Sequence, residues 1–286
     1  MARRRHRVWW IAGLLGLLLL AFVGNSARSV LGVSAGSQTP GEIADLLVPH
    51  FRVQTPPGEG PFPTAILFSG CDGPNDNLPR LARALKAAGW AAVLTDSHAP
   101  RGYQRSEVWP LICAGQLLNG AERAADVAVA IAHVEELGLA SDVALIGASH
   151  GGWAILEYLA YRARGQVPPL LTDWPEGPVP AVIGAVLIYP FCGPLGVLAG
   201  GPIPPDPPVQ LHLVEDDQIA EEAFCVTLFG DRPGVDTQWY SGVTHGFDQT
   251  SKAPFSILEF DPAEAERSVT RTVNFLSGLI RSRVSE

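Results

Sequence analysis

Apolar stretches and amphipathic stretches alternate along most of this chain. The apolar run over residues 64–68 is continuous, which is typical of a strand covered on both faces. Strands are predicted at residues 48–53, 64–68, 90–95, 143–146, 182–188, 209–214 and 236–240. Helical spacing of apolar residues predicts helices at residues 78–88, 121–137, 150–164, 220–229 and 263–280. This alternation predicts an α/β fold with a mostly parallel sheet, helices on both faces, and ligands bound at the carboxyl ends of the strands.

The first residues are arranged like a secretory signal. An apolar run covers residues 8–23, small residues follow it, and four arginines precede it, namely Arg3, Arg4, Arg5 and Arg7. The run is short for a membrane-spanning helix and long for the apolar part of a signal peptide. Because no clean A-x-A site follows, a cleaved signal and an uncleaved anchor with its arginines inside are both open.

Either interpretation predicts export. The domain is then expected in the cell envelope, periplasmic or extracellular, and either secreted or anchored to the membrane by the N-terminal helix. The small and polar residues that follow the apolar run predict a linker. The predicted regions are a signal peptide or N-terminal membrane anchor at 1–27, a linker at 28–41 and the folded domain at 42–286.

Composition narrows the class of protein. A chain of 286 residues with 47% hydrophobic content is long and apolar enough for one large domain, and this content excludes a disordered chain. The net charge of -9 argues against a nucleic-acid partner, because only the N-terminal arginines could offset phosphate repulsion. Contact with a membrane is expected only through the N-terminal segment, if that segment stays uncleaved.

Four cysteines lie beyond the N-terminal segment: Cys71, Cys113, Cys192 and Cys225. Export to an oxidising compartment and an even count favour disulfides, with three possible pairings. Buried free thiols are the alternative. The sequence has no C-x-x-C pair and no His/Cys cluster, so it does not indicate a zinc site, and no metal or cofactor is implied.

The segment Gly147-Ala148-Ser149-His150-Gly151 has the pattern G-x-S-x-G between a predicted strand and a predicted helix. In that context the serine sits at a strained turn that lifts its hydroxyl above the sheet, and the glycines let chain segments pass close by. The N-terminus of the following helix favours negative charge beside Ser149. The alternative is a glycine-rich connection with an incidental serine, so a base and an acid are needed downstream.

A candidate acid and a candidate base follow on later loops. Glu215-Asp216-Asp217 comes after the strand predicted at 209–214, and His245 comes after the last strand. Serine, acid and histidine in this order, each after a strand, match the chain order of an α/β-hydrolase triad. A neutral imidazole can take the serine proton near pH 7, and a carboxylate fixes the imidazole tautomer. The candidate catalytic residues are Ser149, Asp217 and His245.

From about residue 61 to the C-terminus, the chain resembles the dienelactone hydrolase family of α/β-hydrolases. The resemblance is carried by Phe62-Pro63, Gly70-Cys71-Asp72-Gly73, the segment from Asp96 to Gly102, the segment from Gly147 to Gly152, Tyr189-Pro190-Phe191-Cys192, Glu215-Asp216-Asp217 with Cys225, and Thr244-His245-Gly246-Phe247. It implies the α/β-hydrolase fold and hydrolysis of an ester or lactone. The founding members use a cysteine nucleophile, whereas this chain has Ser149, as many relatives do.

The resemblance also implies roles for neighbouring residues. Family members commonly have Gly-Glu-x-Asp where this chain has Val214-Glu215-Asp216-Asp217, which makes Asp217 the acid and leaves Asp216 as the alternative. In this fold the oxyanion hole is built from backbone N–H groups, here those of Cys71 and His150. The His150 side chain as a base is the less favoured alternative. Arg101 is expected to bind carbonyl groups or a carboxylate rather than substrate.

The predicted function is that of an exported serine hydrolase that cleaves a small-molecule carboxylic ester or lactone without a cofactor. An acyltransferase or peptidase of the same fold is one alternative, because fold and triad do not fix the second substrate. A non-catalytic envelope protein is another, but its sign would be a broken triad, and no member is missing here.

The inferred positions of the cysteines near the carboxyl edge of the sheet predict two disulfides, Cys71–Cys113 and Cys192–Cys225. Two stretches, 103–120 and 191–208, should border the mouth of the site, and neither contains a long amphipathic helix of the kind that forms a mobile lid. A lidless mouth favours short-chain esters that enter a preformed pocket. Candidates to line that pocket are Trp109, Phe191 and the loop of His98.

Overall fold

The computed structural model describes residues 2–34, 36–103, 105–139, 142–193, 206–251 and 256–284. Its strands are β1 (Arg52–Gln54), β2 (Thr64–Phe68), β3 (Ala91–Leu94), β4 (Asp142–Ala148), β5 (Ala181–Ile188), β6 (Val209–Val214) and β7 (Val235–Tyr240). Its α-helices are α1 (Ala2–Val30), α2 (Pro40–Leu47), α3 (Asn77–Ala87), α4 (Arg105–Cys113), α5 (Gly120–Glu136), α6 (His150–Ala163), α7 (Glu222–Phe229) and α8 (Pro262–Val284).

Within these residues the strands form one sheet in the order β1-β3-β2-β4-β5-β6-β7. Strand β1 runs antiparallel to β3 at one edge, and the other pairs are parallel. The mostly parallel sheet predicted from the sequence is confirmed. Its register aligns Phe68 with Gly147, Ala148 with Ile188, and Val214 with Tyr240, so the loops that follow these strands meet at one edge.

Two apolar layers cover the sheet. On one face, helices α2, α5 and α6 pack with α7 against side chains such as Ile66, Leu145 and Leu211. On the other face, α3 and α8 pack against the alternate positions, including Leu67 and Ile146. Because successive strand residues point to opposite faces, continuous apolar runs are what a sheet with two covered faces requires.

Two helices extend into the ends of the segment 28–41 for which the sequence predicts a linker. Helix α1 continues to Val30, and α2 begins at Pro40. The start of α2 is set by a capping box, in which Thr39 accepts from the N–H of Glu42 and the Glu42 carboxylate accepts from the N–H of Thr39. The edge strand predicted at 48–53 is also shorter, because a 3-10 turn covers Val48–His50 and β1 begins at Arg52.

Both predicted disulfides are present. Cys71 and Cys113 have Cα atoms 4.9 Å apart, and Cys192 and Cys225 have Cα atoms 5.0 Å apart. The first bridge joins the loop after β2 to the end of α4. The second joins the segment after β5 to α7. Each bridge therefore holds a loop at the carboxyl edge of the sheet to a nearby helix.

A close contact between α5 and α6 gives a stability prediction. A Cβ on Gly120 would lie 2.3 Å from Trp153 Cδ2, and this buried indole donates a hydrogen bond of 2.9 Å to Glu157 Oε1. Gly120→Ala should therefore lower the free energy of unfolding by about 1–3 kcal/mol, because neither the helix nor the ring can move away freely.

The measurement is urea denaturation of the full-length protein in detergent, with tryptophan fluorescence as the signal of unfolding. Gly41→Ala is the matched control, since a Cβ there would meet no atom within 4 Å. The control should leave the stability unchanged or raise it by up to about 1 kcal/mol. Equal stability of both variants would contradict the packing described here.

Candidate active site

Ser149 lies at the sharp turn between β4 and α6. Its backbone has φ +50° and ψ −114°, an unusual conformation for a residue with a side chain. The turn is tight enough that a Cβ on Gly147 would lie 2.5 Å from the carbonyl carbon of Gly151. The Ser149 N–H donates to the carbonyl of Ile188 at 2.8 Å, which helps to hold the strained residue in place.

His245 lies in the loop that follows β7, and its imidazole connects the serine to a carboxylate. Its Nε2 is 2.9 Å from Ser149 Oγ, and its Nδ1 is 2.7 Å from Asp217 Oδ2. Only 7% of His245 is exposed. Because the carboxylate can only accept at Nδ1, that nitrogen carries a proton, and Nε2 of the neutral ring can accept from the serine hydroxyl.

Asp217 lies in the turn after β6. Its Oδ1 accepts the N–H groups of Ile219 at 2.8 Å and Ala220 at 3.0 Å, which leaves Oδ2 for His245. Burial raises the pKa of the Asp217 carboxyl, but the hydrogen bond and charge of His245 and the two N–H groups together hold that pKa below its ordinary value. Asp217 is therefore ionised at neutral pH. The neighbouring residue Asp216 is exposed, and its backbone has φ +56°.

The loop after β2 lies beside the serine. A Cβ on Gly70 would lie 3.7 Å from Ser149 Cβ, so the chain passes directly against the nucleophile candidate before reaching Cys71. On the other side, His150 is the first residue of α6. The N-terminus of a helix carries unpaired N–H groups and partial positive charge, which suits an anion that forms next to Ser149.

The His150 side chain is buried, and one of its ring nitrogens accepts a hydrogen bond from Arg123. Arg123 donates to His150 Nδ1 at 3.2 Å, to the Ser69 carbonyl at 2.8 Å and to Ser97 Oγ at 3.0 Å. Burial, with the charges of Arg123 and His98, lowers the pKa of His150 well below its ordinary value. Burial also lowers the pKa of the Arg123 guanidinium to about 10, so it stays charged at neutral pH. These contacts assign a structural role to the His150 imidazole.

Arg101 binds as the sequence predicted. Its guanidinium forms two hydrogen bonds to the Asp126 carboxylate, at 2.7 and 3.0 Å, and a third to the Ser97 carbonyl at 2.8 Å. Both partners of the ion pair are buried. The ion pair fixes the loop after β3 to helix α5. It also uses the guanidinium N–H groups that would otherwise bind a substrate carboxylate.

Sequence reasoning assigned no role to Tyr189 and Asp248. The Tyr189 ring lies against the His245 imidazole, with ring centroids 4.6 Å apart, and its hydroxyl donates to Asp248. Asn77 also donates to Asp248, at 3.3 Å. Burial raises the pKa of the Asp248 carboxyl, although these hydrogen bonds oppose the rise. In the sequence, the one indication that Asp248 contributes to the site is its position three residues after His245.

Two small cavities lie at this edge of the sheet. One, of about 130 Å³, lies beside Cys71, and Trp109 and His98 are among the residues that line it. The other, of about 180 Å³, borders His245 and Ile257. Phe191 packs instead against Trp153, with ring centroids 4.9 Å apart. The predicted mouth segment 191–208 is described only in part, because residues 194–205 lie outside the described residues.

No family model matches the chain. Solved structures that are similar to it over most of its length include the following three. A dienelactone hydrolase-like promiscuous phosphotriesterase from metagenomic libraries is 17% identical, with 80% of this chain and 98% of that chain covered and a TM-score of 0.59. A cold-adapted esterase from an Arctic intertidal metagenomic library is 17% identical, with 79% and 86% covered and a TM-score of 0.54. Est1E from Butyrivibrio proteoclasticus, with ferulic acid bound, is 11% identical, with 81% and 95% covered and a TM-score of 0.53.

At these identities the similarity defines the fold. The chain has the α/β-hydrolase fold, which the strand order and the turn at Ser149 also match. The structural similarity to a dienelactone hydrolase-like protein agrees with the resemblance seen in the sequence motifs. It covers about four-fifths of the chain, as the resemblance from residue 61 onwards leads one to expect.

Proposed function

We propose that the protein is an exported serine hydrolase that cleaves a carboxylic ester or lactone. The observation that carries the proposal is the continuous series of hydrogen bonds from Ser149 through His245 to Asp217, at the carboxyl edge of the sheet. A serine hydroxyl is a weak nucleophile until a base removes its proton, and the neutral His245 imidazole is placed to remove it.

The reaction follows from these contacts. Ser149 Oγ attacks the ester carbonyl while its proton moves to His245 Nε2, and Asp217 stabilises the imidazolium that forms. The imidazolium then gives its proton to the leaving alcohol, and an acyl-enzyme remains. Water, deprotonated by the same imidazole, attacks the acyl group and releases the acid and free Ser149. The backbone N–H groups of Cys71 and His150 are proposed to donate to the oxyanion in both steps.

The similar structures support an ester substrate. One is described as an esterase and another as a phosphotriesterase, and both kinds of protein cleave esters. The cavities beside His245 and Cys71 hold about 180 and 130 Å³, which supports a short acyl group and a small alcohol. Helix α4 covers nine residues and is bridged to the loop after β2, so it lacks the freedom of a lipase lid.

Replacing the nucleophile tests this proposal. Ser149→Ala should lower kcat/KM for p-nitrophenyl acetate by at least about 1000-fold, because the variant lacks the nucleophilic hydroxyl. The fold should stay intact, because the substitution removes a single oxygen atom and little packing. Circular dichroism of the same sample checks the fold.

Ser282→Ala is the matched control, since this exposed serine lies near the end of α8, and its activity should equal that of the wild type. Activity of Ser149→Ala within a few-fold of wild type would overturn the assignment. Added alcohol acceptors show whether the acyl group goes to water or to another acceptor, and transfer chiefly to alcohol would identify an acyltransferase.

The N-terminal helix and the two disulfides are compatible with export or with anchoring in a membrane. Residues Trp9–Arg28 of α1 have a mean hydropathy of 1.8, are long enough to cross a membrane and lie near the N-terminus, as a signal sequence also would. Their apolar side chains are exposed, with Trp10 at 79%. Such exposure in water is unfavourable, and it is relieved in lipid.

We propose that this helix stays attached as an anchor. Its C-terminal end is tied to the domain by the Asn25 side chain, which donates to the Gln116 carbonyl at 2.9 Å, and by Gln116, which donates to Ser26 Oγ at 3.0 Å. Arg28 lies 3.5 Å from Glu122 in an ion pair. Cleavage after residue 27 would remove Asn25 and Ser26 and both of their contacts.

The anchor proposal is tested by the form of the exported protein. The wild type should remain in the membrane fraction after carbonate extraction and should keep its N-terminal residues, as measured by intact mass. Asn25→Ala provides the comparison, because it removes a contact with Gln116 and creates an A-x-A site ending at Ala27. This variant should release more soluble, cleaved protein. A wild-type protein that begins near residue 28 and is soluble would contradict the anchor.

A further inference from the structure

The ring of Tyr189 lies against the imidazole of His245, and the reaction described so far gives this contact no role. The two ring centroids are 4.6 Å apart, and the ring planes are tilted by 56°. Both residues are buried, with 1% of Tyr189 and 7% of His245 exposed. Because little water reaches the contact, an electrostatic interaction between the two rings is screened less than it would be at the surface.

The backbone at Tyr189 is strained. Tyr189 directly follows β5 and has φ +38°, in the left-handed region that a residue with a bulky side chain rarely adopts. Its N–H donates to the His212 carbonyl at 2.8 Å, which fixes the residue to strand β6. Strain of this kind persists only where the surroundings hold it, and it concentrates at functional sites. The fold therefore keeps an aromatic ring beside the imidazole at a cost in conformational energy.

The hydroxyl end of the ring is held by Asp248. The Tyr189 hydroxyl donates to Oδ1 of this buried carboxylate, and the Asn77 side chain donates to its Oδ2 at 3.3 Å. Burial, with the charge and the hydrogen bond of Asp248, raises the pKa of the Tyr189 hydroxyl well above its ordinary value, so the hydroxyl keeps its proton and remains a donor. The ring is thus fixed at both ends, by its backbone and by Asp248.

Other charged groups also act on this pair of rings and on Asp248. Arg80 donates to the backbone carbonyl of Asp248 at 2.7 Å and forms an ion pair with Asp76. Asp217 lies 2.7 Å from His245 Nδ1. These groups are the same in every comparison below, so they do not contribute to the differences measured. Within the described residues they are Asp72, Asp76, Arg80 and Asp217.

The proposed reaction creates a positive charge next to the Tyr189 ring. When Ser149 attacks, its proton moves to His245 Nε2, and the neutral imidazole becomes an imidazolium. An aromatic ring attracts a cation that lies within about 6 Å of its centroid, because the ring face carries negative charge. The separation of 4.6 Å is within this range. An interaction that is stronger with the imidazolium than with the neutral imidazole lowers the barrier to attack.

We propose that Tyr189 stabilises the His245 imidazolium in the transition state, and that Asp248 positions the Tyr189 ring for this interaction. The inference rests on the proposed function, since it assigns two positioning residues to the same reaction. It leaves the bonds that form and break unchanged, because the proton still moves from Ser149 to His245 and then to the leaving alcohol.

Fluorination of the ring tests the proposal at nearly constant shape. Tyr189→Phe keeps the aromatic face, so kcat for p-nitrophenyl acetate should stay within about threefold of the wild type. Trifluorophenylalanine at this position has less negative charge on the ring face, and kcat should fall by about threefold from the phenylalanine form at unchanged KM. The pH of half-maximal kcat/KM on the acid side should also fall, by about half a unit, because protonation of the free imidazole becomes less favourable.

Tyr158 provides the matched control, because it is a buried tyrosine on α6 whose ring lies against Trp174. Tyr158→Phe and its trifluorinated form should have the same kcat and the same pH of half-maximal activity. Equal kcat of the two forms at position 189 would overturn the proposal. A lower kcat of the trifluorinated form with an unchanged pH profile would also overturn it, since packing alone explains that result.

The role of Asp248 is tested by rescue with a conservative variant. Asp248→Asn keeps an oxygen that accepts from the Tyr189 hydroxyl, so its kcat should stay within about threefold of the wild type. Asp248→Ala removes the acceptor and should lower kcat by about tenfold at unchanged KM. A tenfold loss in Asp248→Asn, or wild-type kcat in Asp248→Ala, would overturn the positioning role.

An absence of activity is distinguished from a failure of this inference. If the wild type hydrolyses no ester, the hydrolase proposal fails, and an NMR titration of the His245 ring then tests the contact by itself. The forms compared carry phenylalanine and trifluorophenylalanine at position 189. A lower titration midpoint in the trifluorinated form supports the interaction with the imidazolium, and equal midpoints overturn it.

Discussion

The site depends on the close approach of three backbone segments at the end of strand β4. A Cβ on Gly151 would lie 2.4 Å from the Phe68 carbonyl oxygen, so only glycine lets the start of helix α6 sit against the end of β2. That approach places Ser149, in its strained conformation, between the loop of Cys71 and the imidazole of His245. The strain is localised because the hydrogen bond to Ile188 and the packing of α6 hold both sides of the turn.

Buried polar groups fix the loops around this turn. Arg123 is fully buried and joins the loop after β2, the loop after β3 and the start of α6 through Ser69, Ser97 and His150. On the opposite side, Tyr189 and Asp248 support the His245 imidazole. Because a buried network is costly unless its members are satisfied, these contacts specify one arrangement of the loops. The disulfide at Cys71 adds a covalent limit on the same side.

The sheet and the three candidate catalytic residues could be predicted from the sequence, whereas helix α2 and the role of Arg123 could not. The sheet followed from continuous apolar runs, and Ser149, Asp217 and His245 were selected by their order behind strands, since such loops meet at one edge. Helix α2 was missed because its eight residues give little periodicity, although Thr39-Pro40-Gly41-Glu42 carries its capping signal. Arg123 was missed because its partners come from three distant segments.

The central claim is that His245 and Asp217 activate Ser149, and covalent labelling tests it without any choice of ester. A fluorophosphonate probe should form one adduct, on the peptide that contains Ser149, as measured by mass spectrometry. The labelling rate should fall by roughly 100-fold or more in Asp217→Asn, which disturbs the imidazole tautomer, and by no more than a few-fold in the neighbouring Asp216→Asn. No adduct at Ser149, or equal rates in the two variants, would contradict the account.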